Sequence, residues 1–186
     1  MAQAGALSVS PVNIELSARM PTVRLNVENQ SGEPMVVQID AMEWRQKAEG
    51  EDYQPTSQLV FNPPLFSLAP GQRQIVRVGL RERTAPAVEG TYRLYLSEVA
   101  KPNPDTNALQ VNMRLGIPVF VQPGDECRPE LVWRLEQGPG RAVDLSLENV
   151  GQRHGRITDM RLVDPVTDAT IGHVASTWSL PGGKRR

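Results

Sequence analysis

Cysteine is nearly absent. Cys127 stands alone among 186 residues, which excludes a disulfide within the chain and any zinc site built on thiolates. Histidine is scarce too: His154 and His173 are the two imidazoles, too few for a His-ligand cluster, so no metal is expected. No apolar run approaches the roughly 18 residues needed to cross a bilayer, and membrane insertion is not expected. Neither sign of charge dominates, because 20 Lys and Arg stand against 21 Asp and Glu for a net charge of −1. That balance removes the electrostatic case for nucleic acid as a partner. No Walker-type glycine loop is present, and no cofactor is expected. Asp40, Glu43, Asp159 and Asp164 have no paired nucleophile or base, and Cys127 with His154 obeys no spacing rule for a dyad. The chain is not expected to be an enzyme. Aromatic residues are 5% of the total. Trp44, Trp133 and Trp178 read as core or sandwich-edge residues. No signal-peptide apolar region follows Met1, but Ala2-Gln3-Ala4 has the small-x-small form left around a cleavage site. Met1 then reads as a start residue before a mature form whose export signal has been removed.

Proline and glycine, by contrast, are plentiful, at 16 and 15 residues. They punctuate short segments rich in β-branched residues, and no helical period persists for three turns. Alternation with period two recurs instead. Leu7 and Val9, then Val12, Ile14 and Leu16, alternate with polar residues, with a break or edge position at Pro11. Val23, Leu25 and Val27 follow, ending in the turn Asn29-Gln30-Ser31-Gly32. Strands are expected at 35–44, 59–61, 75–80 and 92–99, with a charged loop at 47–55. Together with a last strand at 109–121, the first half offers seven strands, the count of an immunoglobulin-like sandwich. Pro123-Gly124 marks a boundary, giving domains at 5–123 and 124–186. The second half offers strands at 131–135, 143–147 and 157–163, with a fourth at 166–174. A sandwich of this type needs about seven. The expected fold class is therefore all-β, with two immunoglobulin-like β-sandwich domains, the second incomplete in this chain. Either the second domain is truncated here, a C-terminal piece being absent from this sequence, or its missing strands come from elsewhere. An incomplete sandwich leaves sheet edges open to pairing with another chain.

One segment is unusually long. Leu109, Val111, Met113, Leu115, Ile117, Val119 and Val121 place seven apolar residues at strict period two, an extended length of about 40 Å at ~3.3 Å per residue. Strands of about 5–6 residues are typical, so one small sandwich cannot cover all of it. Pro118 lacks an N–H and belongs at an edge or bulge. A long apolar edge is an aggregation hazard unless strand addition is its purpose, backbone bonds giving affinity and alternate side chains filling pockets. The plainer reading is an ordinary last strand whose first residues flank the core.

Three motifs in register now carry a resemblance. Asn62-Pro63-Pro64, Leu68-Ala69-Pro70-Gly71 and Val76-Arg77 form the first. Glu89 ahead of the strand running from Tyr92 to Glu98 is the second, and Leu109 through Pro123 the third. Order and spacing are similar to those of the PapD-like periplasmic pilus chaperones of the chaperone–usher pathway, over about 7–123 and more loosely over 129–181. The resemblance implies a periplasmic protein of fimbrium biogenesis and cell wall organization that binds pilus or fibre subunits by donor-strand complementation. The subunits are then delivered to an outer-membrane usher. It assigns Leu109, Val111, Met113 and Leu115 to the groove-filling positions, leaving 117–121 to the chain's own sheet. Arg77 and Glu89 match a structural ion pair, and Asn62–Pro63 matches a cis bond. Self-association through the exposed strand edge is a further expectation.

The resemblance fails at one point. The family's carboxylate anchor is an Arg on the first strand and a Lys late in the donor strand, and Asn13 and Pro118 stand at those positions. Arg114, Arg93 and Arg24 are the candidate substitutes, and the departure points to a divergent, archaic-type branch. The competing reading is an immunoglobulin-like binding or adhesion module without chaperone activity, its binding loops clustered at the sandwich ends.

Overall fold

The computed structural model describes residues 7–100, 113–124, 126–138 and 143–185. Fifteen strands account for its regular structure. They are β1 (Leu7–Ser10), β2 (Ile14–Leu16), β3 (Thr22–Asn29), β4 (Met35–Lys47), β5 (Gly50–Pro55), β6 (Leu59–Asn62), β7 (Leu65–Leu68), β8 (Arg73–Leu80), β9 (Gly90–Glu98), β10 (Arg114–Val121), β11 (Leu131–Gln137), β12 (Val143–Asn149), β13 (Gly155–Val163), β14 (Thr170–Ser179) and β15 (Lys184–Arg185). No described helix is long and apolar enough to cross a membrane. Residue contacts divide the chain into two compact units. The first takes Met1–Trp44, Tyr53–Ala85 and Gly90–Gln122; the second takes Arg45–Asp52, Pro86–Glu89 and Pro123–Arg186.

In the first unit, one sheet has the order β1-β3-β8-β6 and the other β2-β10-β9-β4-β5, with β7 also paired to β4. Alternation decides which side chains meet between them. Leu25, Val27, Val76 and Val78 from the first sheet join Val37, Ile39, Leu94, Leu96, Ile117 and Val119 from the second in one buried cluster. Each fully buried aliphatic of this kind contributes about 1.5–3 kcal/mol. The chain changes sheets between β1 and β2 at Pro11, where Ser10–Pro11 is cis; Asn62–Pro63 is cis as well.

Residues 47–55 are not the loop that their charge suggests. β4 continues to Lys47, Gly50 turns the chain at φ 137°, and β5 returns. β5 is mostly exposed, and an exposed strand carries charge readily, which hid it from a hydrophobicity pattern. β7, between Pro64 and the Pro70-Gly71 turn, is a further strand that the sequence pattern does not predict. Near the chain's end, residues 166–169 are turn rather than strand. The Asp164 carboxylate accepts the N–H groups of Val166 at 2.7 Å and Thr167 at 3.0 Å, bonds that hold its pKa below the ordinary carboxylate value.

The second unit contains a sheet β11-β12-β15 and a two-stranded sheet β13-β14, and its bonds around Asn149 repeat those around Asn29 of the first. Leu7 faces Asn29 in one and Leu131 faces Asn149 in the other. The Asn29 amide donates to the carbonyls of Glu33 (2.8 Å) and Leu68 (3.1 Å). That of Asn149 donates to Arg153 (2.8 Å) and Ser179 (3.0 Å). Gly71 and Gly182, at φ 71° and 68°, each donate an N–H at 2.8 Å to the carbonyl of that asparagine. Glu28 pairs with Arg73 at 2.9 Å and Glu148 with Lys184 at 3.2 Å. By this correspondence β12 stands for β3, β13 for β4, β14 for β7 and β15 for β8.

Candidate functional site

β10 lies between β2 and β9, but β2 covers only Val119, Phe120 and Val121, whereas β9 pairs with the full length from Arg114 to Val121. Over residues 114–118 the other edge of β10 therefore has no strand beside it among the described residues. Pro118 falls on this stretch, where its missing N–H leaves no ladder bond unmade. Ile117, Val119, Phe120 and Val121 are buried. Leu115 is half-buried and packs on the same core. Met113, half-buried, shares Leu115's parity, and its carbonyl accepts the Glu98 N–H at 2.8 Å. Leu109 and Val111 lie outside the described residues.

The opposite face of this sheet collects cations and rings. Met42, Arg93 and Pro118 are Cα partners across β4, β9 and β10, and Asp40, Tyr95 and Gly116 form the next row. The Arg93 guanidinium lies 4.1 Å from the centre of the Trp44 ring, and Arg114 lies 3.9 Å from that of Tyr95. Such contacts contribute about 0.5–2 kcal/mol each as burial increases. Trp44 is fully buried and sits 6.3 Å from Phe120, while Tyr53 meets Tyr95 edge-on at 6.0 Å. Gly116 makes the arrangement possible: a Cβ there would come within 3.0 Å of the Tyr95 ring and 3.5 Å of Arg93 Nη1. Among the described residues neither Arg93 nor Arg114 has an ion-pair partner, and the buried Arg93 Nε has no hydrogen bond. A buried N–H left unmade costs about 1–3 kcal/mol.

The remaining candidates are elsewhere. Arg24 and Arg77 face each other as Cα partners on β3 and β8 of the other sheet, both exposed. Glu89 belongs to the second unit and is buried. Its Oε2 accepts the His154 N–H at 2.6 Å and meets His154 Nδ1 at 2.7 Å; Arg153 Nε lies 3.7 Å from Oε1. Trp178 closes edge-on over His154 at 5.1 Å. Cys127 is a free thiol, and His173 meets Asp159 at 2.5 Å. No group of three or more metal-ligating side chains occurs among the described residues.

Tyr95 and Gly116 carry no signal of their own in the sequence, and Trp44 and His154 read there only as a core or sandwich-edge residue and an isolated imidazole. The one usable signal was parity, since Arg93 and Tyr95 alternate with the buried Leu94 and Leu96 and so had to share the outer face.

Two β-sandwich units joined in one chain, with a partly unpaired last strand in the first, define the two-domain immunoglobulin-like fold of a chaperone. The model of the pili and flagellar-assembly chaperone family, PapD N-terminal domain, matches residues 6–125, and the chain belongs to that family. No curated protein sequence matches it. Solved structures share the fold at low identity. The CsuC–CsuE chaperone–tip adhesion subunit complex from the archaic chaperone–usher Csu pili of Acinetobacter baumannii is 19% identical with a TM-score of 0.76, over 97% of this chain and 85% of that one. The Salmonella enterica SafA pilin–SafB chaperone complex gives 17% and 0.67, over 99% and 84%. The E. coli chaperone DraB gives 19% and 0.62, over 100% and 85%.

Proposed function

We propose that this chain is a periplasmic chaperone that holds pilus or fibre subunits by donor-strand complementation and passes them to an outer-membrane usher. The observation that carries the reading is the open edge of β10 at 114–118. The apolar parity of Leu115 and Met113 continues upstream into Val111 and Leu109. A subunit lacking one strand would pair its backbone with this edge and take those side chains into its groove. Burial of Leu109, Val111 and Met113, the three beyond Leu115 and the chain's own core, is worth about 1.5–3 kcal/mol each before the cost of association. Exchange of strands at the usher then releases the subunit without a chemical energy source.

Arg93, assisted by Arg114, takes the place of the family's basic anchor. Its register partner is Pro118, the position where the family carries Lys, and its half-buried guanidinium supplies the positive charge for the subunit's terminal carboxylate. Arg24 and the neighbouring Arg77 lie on the other sheet and play no part.

Co-purification with a groove-exposing subunit tests both statements. Leu109→Arg, Val111→Arg and Met113→Arg should each weaken complex formation at least tenfold and return the subunit to aggregation; unchanged subunit solubility would sink the donor-strand reading. Arg93→Met should weaken binding of a subunit with a free C-terminal carboxylate and leave an amidated one unaffected. An equal loss for both would remove Arg93 from the anchor.

A further inference from the structure

The sheet β1-β3-β8-β6 of the first unit carries two uncompensated arginines at the middle of its outer face. Arg24 on β3 and Arg77 on β8 are Cα partners. Both are exposed, while Leu25, Val76 and Val78 beside them are buried. Register names the neighbours of the pair on this face. Thr22 and Asn26 flank Arg24 along β3, Ile75 and Gly79 flank Arg77 along β8, and Asn62 of β6 stands beside Arg77. None of these is acidic. β1 stops at Ser10, opposite Asn26, so no strand of this sheet lies on the other flank of Arg24. Among the described residues neither guanidinium has an ion-pair partner, whereas Glu28 and Arg73, paired on the same face, close to 2.9 Å. Like charges directly opposite on adjacent strands destabilise a sheet, so folding alone gives no reason for this pair.

We infer that this face docks a short acidic segment of a partner protein, one carboxylate shared by Arg24 and Arg77 with an aliphatic side chain on either side of it. Guanidinium takes a carboxylate through parallel N–H donors, and a shared anion removes the repulsion between the two cations. The aliphatic part follows from the flanking rows. Ile75, two residues before Arg77, is 49% exposed, and Val60, beside Gly79 two residues after it, is 42% exposed. Same-face side chains of an extended segment recur at that two-residue interval, so the pattern aliphatic-x-acid-x-aliphatic sets one side chain over each row. An inorganic anion or a lipid headgroup would leave Ile75 and Val60 uncovered. Nucleic acid fits less well, since its binding rests on many phosphate contacts and the chain's net charge is −1. The sheet concerned does not contain β10, so the inference stands or falls independently of the donor-strand reading.

The test is an NMR titration of the full 186-residue chain with a capped peptide of sequence Leu-Ser-Glu-Ser-Leu, read at the arginine Nε–H and backbone amide signals. Signals of Arg24, Arg77 and residues 75–79 should shift. Affinity should fall at least tenfold when the peptide's Glu is replaced by Gln or both its leucines by Ser, changes that leave the protein untouched. Arg24→Gln and Arg77→Gln should each weaken binding at least tenfold while holding or raising the melting temperature, a combination that a purely structural pair would not give. Inorganic phosphate and phosphatidylglycerol vesicles, added as competitors at constant ionic strength, should not displace the peptide. Shifts confined to other residues, or equal binding of the Gln peptide, overturn the inference. So do displacement by phosphate or by vesicles, which would assign the pair to a simple anion or a membrane surface, and a lowered melting temperature in both glutamine variants.

Discussion

At the scale of single residues, burial decides what each polar group does. Glu89 is enclosed with His154 and Arg153, and a buried charge deprived of its partners costs about 3–5 kcal/mol. Arg153→Leu with His154→Leu should lower the unfolding free energy by about 3 kcal/mol in urea titration, whereas Arg24→Ala, on an exposed face, should change it by less than ~0.5 kcal/mol. Tyr92 shows the effect of burial on titration. Its phenol is pushed above the ordinary value, first by burial and then by the Glu43 carboxylate opposite. The folded state therefore retains that proton where the unfolded chain has lost it. The resulting stability is fully present below the unfolded value, near pH ~10, and is lost as pH rises through the folded one. Tyr92→Phe should flatten the fall in melting temperature above pH 10; an unaltered slope would assign the fall to other groups.

Among elements, glycine sets the close approaches. A Cβ on Gly151 would lie 2.5 Å from the Arg128 carbonyl and also strike the Glu130 nitrogen. Backbone cannot move aside as a flexible side chain does, so Gly151→Ala should destabilise the second unit by about 1–3 kcal/mol. Gly32→Ala, with open space around it, should be near neutral. Differential calorimetry of the two variants separates them. Gly116→Val tests the outer face of β9 and β10: it should displace Tyr95 and Arg93 and quench the cation–ring contact at Trp44, read as a shift in tryptophan emission. The same positions show why this site was only partly legible. Period two placed Leu115 with Ile117 and Val119, and Arg93 with Tyr95, because alternation is local strand geometry. Setting Arg93 beside Pro118 and over Trp44 requires register between three strands far apart in sequence.

For the whole molecule, the two units differ in what they bury. The first has one continuous apolar cluster from Ile14 to Val121, while among the described residues of the second only Leu147 and Leu180 are buried hydrophobics. Amides of β3, β4, β8 and β9 should exchange far more slowly than those of β13 and β14, and the second unit should open first in denaturant. Uniform protection across both would show that the difference in buried apolar clusters does not set their relative stability. The repeat linking the units is not legible in the sequence because it rests on a few positions, chiefly Asn29 with Asn149 and Gly71 with Gly182. Their equivalence is one of bonds made, not of residues shared.

By itself the sequence determined the class: all-β, punctuated by proline and glycine, without metal-binding or catalytic chemistry in its motifs, and with a long apolar strand near the middle. These properties follow from composition and from a two-residue period that any strand obeys. Which edge of β10 stays unpaired at 114–118 among the described residues, and which ring lies under Arg93, were decided only by tertiary structure. Pairing joins segments tens of residues apart, and a local pattern carries no record of the partner it will meet.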